Sequence, residues 1–264
     1  MKKFLTVALA GVLAASMLFT GCSKKAESKV PDKLIVGTNA EFPPFEYMND
    51  KKQPEGFDIA MIKEIRKRMG KKVEIKNMEF KSLIGAMESD SINAIIAGMT
   101  KTEKREKAVD FSDSYYTTNQ AIILKKDSKI TKLAQLDGKK IGVQEGTTGD
   151  LISSGDKFGD GKKAKVLVKG AKVKRFKKGV DAVMDLKNGS VDAVVIDELT
   201  ANEFVKKNAK KLKIVIDSAG SEYYCIALTK GNTAYKEEVN KQIKAIKEDG
   251  TYDKLKAKYI DSKN

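Results

Sequence analysis

The chain has 264 residues, 51 Lys and Arg against 36 Asp and Glu, no histidine and two cysteines, for a formal net charge of +15. Without histidine there is no imidazole for acid–base, nucleophilic or zinc chemistry, and Cys22 and Cys225 are too few for a disulfide framework, so a hydrophobic core must carry the stability. The cations run along the whole chain rather than clustering with aromatic residues, so no nucleic-acid partner is expected.

The first element is not part of the fold. Met1-Lys2-Lys3 is a short positive region, residues 4–19 are a continuous apolar run, and Thr20-Gly21 precede Cys22. That is the layout of a secretory signal, too short and wrongly flanked for a membrane span. "LFTGC" resembles the bacterial lipobox, with Phe19 at the place usually held by leucine. The resemblance implies a signal peptide over residues 1–21 and a lipid-carrying Cys22, followed by a lysine-rich tether over 22–32. Several acyl chains would be needed for a firm anchor, since one alone binds marginally. A plain signal peptide with a chance cysteine is the other reading.

From Lys33 onward the pattern alternates. "KLIVGT" reads as a strand, "GFDIAMIKEIRKRMG" as a helix stopped by Gly70, "KKVEIKNMEF" as a strand, "KSLIGAMESD" as a short helix and "INAIIAGMT" as a buried strand. "QAIILKK", "KKIGVQEG", "AKVKRF", "VDAVVIDEL", "LKIVI" and "YYCIALTK" are further strands. Helices lie between them from about Asp150, over "KGVDAVMDLKNG" and over "ELTANEFVKKN", and one long amphipathic helix closes the chain. Strands alternating with helices predict an α/β fold with mainly parallel sheets flanked by helices.

A weak internal repeat sharpens this. "LIGAMESDSINAIIAGMT" and "AVMDLKNGSVDAVVIDEL" share one plan, as do "IVGTNAEF" and "IGVQEGTTGD". Two similar α/β lobes would each send two strand ends toward a shared cleft, because ligands of open parallel sheets sit beyond the carboxyl ends of the strands. A single doubly wound sheet would produce similarities of the same kind.

Each strand end carries a different handle. "GTNAEFPPFEY" offers Asn39, Glu41 and the rings of Phe42 and Phe45; "AGMTKTEKR" offers Gly98, Thr100 and Arg105 in a helix that Thr102 could cap; "QEGTTGD" offers Gly146, Thr147, Thr148 and Gly149; "VVIDEL" offers Asp197. An arginine fork beside hydroxyls and backbone donors suits a carboxylate, and an aspartate at the mouth of a buried strand suits a cation. Together they describe a receptor for an α-amino acid. Taken singly, Arg105 could be a surface charge and Asp197 a helix N-cap.

"GTNAEFPPFEY", "GFDIAMIKEIRKRMG", "GMTKTEKREKAVDFSDSYY" and "GTYDKLKAKY" resemble the extracytoplasmic solute-binding proteins of family 3, which feed polar amino acids to ABC importers. The resemblance runs from about Lys33 to Tyr259. It implies a two-lobed periplasmic-binding-protein-like fold of type II with the ligand cleft between lobes, lobe 1 from 33–115 with 226–264, lobe 2 from 120–221, and crossings near 115–120 and 222–225. By the same resemblance Arg105, with Gly98 and Thr100 beside it, matches the carboxylate-binding arginine, and Thr147 and Thr148 match the loop that contacts the carboxylate. Asp197 holds the ammonium, and Phe42 and Phe80 are walls. Phe45 and Tyr47 are expected to seat the loop on its own lobe.

The departures are Asn39, where many relatives that bind basic amino acids or glutamine have aspartate, and Gln144, which aligns with a lysine of some glutamine binders. Two neutral amides favour a neutral polar side chain such as glutamine, with Glu41 near enough to serve a basic one. The expected partners are a free amino acid, an ABC permease and, through Cys22, the outer face of the cell membrane; a monomer without cofactor or metal is expected. A cyclohexadienyl-dehydratase-like enzyme and an amino-acid-sensing or adhesive lipoprotein are the alternatives on the same fold.

Overall fold

The computed structural model describes residues 29–155, 168–216 and 221–261, with the backbone of 157–158 and 162–163. The expected signal peptide, Cys22 and the tether up to residue 28 lie outside the described residues. Among the described residues two five-stranded sheets dominate. The first runs Lys72–Asn77, Lys33–Thr38, Ala94–Ile95, Glu222–Thr229, Val109–Thr118; the second runs Lys172–Phe176, Lys140–Gln144, Ala193–Asp197, Gln120–Lys125, Leu212–Ile216.

Both sheets have the same construction. The first three strands in each order pair parallel and the last two join antiparallel. The parallel expectation therefore describes three strands of each sheet, those linked by crossover helices as parallel pairing requires. The antiparallel strands are the ones next to the passages between lobes. Val109–Thr118 gives way to Gln120–Lys125 across Asn119 alone, and Glu222 opens the returning strand paired with Thr118. The two sheets are thus joined by segments that lie side by side.

Helix Phe57–Arg68 buries Phe57, Met61, Ile62 and Ile65 on one stripe, and Arg66, Lys67 and Arg68 fill its last turn, where cations oppose the partial negative charge of the C-terminus. The expected single C-terminal helix is two, Thr233–Glu248 and Thr251–Tyr259, because Gly250 takes φ +76° between them. "INAIIAGMT" forms a ladder only at Ala94–Ile95, since Gly98 at φ +52° turns the chain out of the sheet.

Phe45 is fully buried and meets the rings of Tyr116 and Tyr224 edge-on, each 5.0 Å away, where the crossing strands meet the first lobe. Tyr47 is only half-buried, so the seating expected of both rings falls mainly to Phe45. Beneath this cluster lies a polar pocket within the core. Asp58, fully buried, accepts from the Gly98 amide and from the Tyr115 hydroxyl, both at 2.7 Å. Glu46, also fully buried, faces it.

Burial raises both acids. Asp58 goes from 3.8 to about 6, and Glu46, burdened also by the Asp58 charge, goes well above its usual range. An acid raised in the folded state binds more protons there than in the unfolded chain, so its contribution is fully present below about pH 4 and is lost as pH climbs through about 6. Urea unfolding should therefore show the protein less stable at pH 8 than at pH 5, by about 1 kcal/mol from Asp58 alone, since part of its shift is already spent at pH 5, with Glu46 acting in the same direction. Glu46→Gln should reduce the difference, with Asp58 and Asp197, both raised by burial, keeping the rest. A stability that increases over this interval, or one that Glu46→Gln leaves unchanged, contradicts the assignment.

Candidate functional site

Four carboxyl ends of strands converge between the lobes. Asn39 follows Lys33–Thr38, Gly98 and Thr100 follow Ala94–Ile95, Gln144 ends Lys140–Gln144 and Asp197 ends Ala193–Asp197. Asn39, Phe42, Phe80, Gly98, Thr100, Arg105, Gln144, Thr147, Thr148 and Asp197, the ten residues expected from the sequence, all line one cavity there, with Ala97. The lobes close on it so tightly that its free volume is about 10 Å³, the room of about one water. Anything larger enters only if the lobes part.

Arg105 comes from the short helix Glu103–Glu106, whose first turn the Thr102 hydroxyl caps by accepting from the Arg105 amide at 3.3 Å. The side chain is not a surface charge: it is 6% exposed. Its Nη1 donates to the Thr100 carbonyl at 2.6 Å, and its Nη2 donates across the cleft to the Gly146 carbonyl at 3.0 Å. The guanidinium lies 5.2 Å from the centre of the Phe80 ring. Burial lowers its pKa to about 10, with the Glu222 and Asp197 carboxylates acting against that fall, so it stays cationic at neutral pH.

Asp197 sits at the N-cap position of Glu198–Lys206 but makes no side-chain capping bond there. It accepts instead from the Tyr224 hydroxyl at 2.6 Å. Burial, then the nearby Glu222 charge, push its carboxyl up to about 7. A buried acid of this kind at a strand mouth gains most from a cationic partner.

The hydroxyls have different fates. Thr147 caps Thr148–Ser154 by accepting from the Asp150 amide at 3.3 Å, and it donates to the Gln144 carbonyl at 2.8 Å. Its hydroxyl proton is therefore spent within its own turn, although the residue lines the cavity. Thr100 and Thr148 both donate to Oε2 of Glu222, at 2.6 and 2.7 Å.

The two amides bond to each other across the lobes. Gln144 Nε2 donates to Asn39 Oδ1 at 2.8 Å and to the Lys177 carbonyl at 3.2 Å, while Asn39 Nδ2 donates to the Met78 carbonyl at 2.8 Å. Glu41 forms an ion pair with Lys178 of the other lobe at 2.7 Å. Phe42, 6% exposed, forms a wall; a Cβ at Gly98 would stand 3.1 Å from its ring and press it back by a few tenths of an ångström, and the φ of +52° there also favours glycine. Among the described residues no group of three His, Cys, Asp or Glu could hold a metal.

Sequence reasoning missed Glu222 and Tyr224, which appeared only as part of a crossing. The available signal was their spacing: two apart on one strand, they share a face, and that face turns to the cleft.

The model of the bacterial extracellular solute-binding proteins, family 3, matches residues 34–262. The arginine-binding extracellular protein ArtP of Bacillus subtilis (strain 168) is 33% identical over 263 residues, covering 98% of each chain. The ABC transporter glutamine-binding protein GlnH of the same organism is 31% identical over 280 residues, again covering 98% of each. A solved structure of an ancestral arginine-binding protein bound to arginine is 42% identical with a TM-score of 0.79, covering 88% of this chain and 100% of that one. A two-lobed α/β frame, a cleft at four strand ends and this match over nearly the whole described chain agree, and the protein belongs to the bacterial extracellular solute-binding proteins of family 3.

Proposed function

We propose that the protein captures a polar amino acid between its lobes, outside the cytoplasm, and delivers it to the permease of an ABC importer. One observation carries this reading: a buried cation, Arg105, and a buried acid, Asp197, face one cavity from different lobes. An α-amino acid is the small molecule whose carboxylate and ammonium match both. Bound to Arg105 on one side and Asp197 on the other, it stabilises the closed arrangement over the open one, and only such a difference in affinity moves a lobe equilibrium. Phe42 takes the aliphatic part of the ligand.

At the side-chain end the Asn39–Gln144 pair can both donate and accept without charge, and the charge of Glu41 is met by Lys178. A neutral polar side chain such as that of glutamine is favoured. A basic side chain is the second reading, supported by arginine-binding relatives and by Glu41, which could exchange Lys178 for a ligand cation. The crossings near 115–120 and 222–225 serve as the hinge, the chain acts as a monomer, and lipid on Cys22 holds it at the membrane. The dehydratase and adhesive alternatives lose ground, since binding alone accounts for every charge facing the cavity.

Calorimetric titration of the purified protein against the common amino acids should find one or a few polar ones bound at micromolar affinity or better, and the ligand should be recovered unchanged. Arg105→Ala should weaken binding at least 100-fold, the order expected for a lost charged anchor; parent-like affinity in that variant would remove Arg105 from the carboxylate role. Asn39→Asp should shift the preference toward arginine or lysine by about tenfold relative to glutamine, one buried charge being worth at least that. An unchanged ratio would take Asn39 out of selectivity.

A further inference from the structure

Glu222 opens the strand by which the chain returns to the first lobe, paired with Thr118. Its Oε2 receives one hydroxyl from each lobe, Thr100 at 2.6 Å and Thr148 at 2.7 Å. A carboxylate can only accept, and a hydroxyl has one proton, so both threonine protons are committed to Glu222. The Thr148 oxygen additionally accepts from Gln120 Nε2 at 3.2 Å. Thr100 and Thr148 both line the cavity, and what their side chains have left to offer it is lone pairs.

Of the two, Thr148 belongs to the loop that the resemblance sets against a carboxylate, and the proton its hydroxyl would offer there is the one Glu222 takes. A lone pair receives an N–H and repels a carboxylate oxygen. The charges point the same way: the carboxylates of Asp197 and Glu222 act on one guanidinium, that of Arg105.

We propose that Glu222 is a positioning residue of the ligand site: by taking the protons of Thr100 and Thr148 it makes both oxygens acceptors, so that they join Asp197 in receiving the ligand's ammonium and leave the carboxylate to Arg105. The inference rests on the amino-acid reading above and deepens it. It assigns a role in recognition to a residue on the crossing strand, whose hydroxyl partners come one from each lobe.

The test compares ligands that differ only in the α-ammonium: glutamine with glutaramic acid, and arginine with 5-guanidinopentanoic acid, the weak acids being read by competition. Wild-type binding of either amino acid tests the underlying reading; if neither binds, that reading fails, whatever the variants do. Given binding, Glu222→Gln should weaken the amino acid at least tenfold and its deaminated partner less than twofold. Thr100→Val should reproduce this pattern, and the double variant should lose little more than either single one. Equal losses for both members of a pair would make Glu222 a general support of closure and overturn the proposal. Tighter amino-acid binding in Glu222→Gln would make Glu222 a competitor of the ligand carboxylate, and would overturn it as well.

Discussion

The arrangement depends on one buried guanidinium. A charge removed from water is tolerated only where acceptors and opposite charges surround it. Arg105 finds a carbonyl in its own lobe, Thr100, and another in the facing lobe, Gly146. It lies against Phe80 and within the field of Asp197 and Glu222. Because half of that compensation comes from the second lobe, the charge and the closure of the cleft are one problem. Parting the lobes would return the guanidinium to water and release the Gly146 bond.

The floor of the cavity is held from behind. The Gly98 amide is tied to Asp58, which also receives the Tyr115 hydroxyl, so the loop facing the cleft is bonded into the first lobe's core. Phe45 wedges between Tyr116 and Tyr224, and Tyr224 in turn reaches Asp197 in the second lobe. The crossing strands therefore serve twice, as the connection between lobes and as part of the site. Exposed cross-lobe pairs such as Lys81–Glu145 and Lys177–Glu79 add little to closure, since surface ion pairs are each worth about 0–1 kcal/mol.

The Asn39–Gln144 end of the cavity is built differently from the end that holds Arg105 and Asp197. Its polar groups satisfy one another across the cleft, Asn39 with Gln144 and Glu41 with Lys178, so a ligand must replace bonds that already exist. On the proposed reading, selectivity there would be a difference between two sets of hydrogen bonds rather than the filling of an unmet charge. That is consistent with relatives on one frame being named for arginine in one case and glutamine in another.

Much of this was legible in the sequence. Periodicity gave the alternating elements, the repeat gave two similar lobes, and the residues at apolar strand ends gave eight of the ten that line the cavity, because a parallel strand's carboxyl end faces a crevice wherever the strand sits, while Phe80 and Gln144 came from the family resemblance. What one residue does for another across the cleft was not legible. Thr147 spends its hydroxyl on a helix cap, Asn39 and Gln144 bond each other, and Glu222 orders Thr100 and Thr148. These partners are separated by anything from 3 to 122 positions, and a hydroxyl's single proton goes to whichever acceptor the fold brings nearest. The sequence by itself determined which chemical groups gather at the cleft; only the tertiary structure decided which of them are spent on one another, because that depends on distances of a few ångströms between elements remote in the chain.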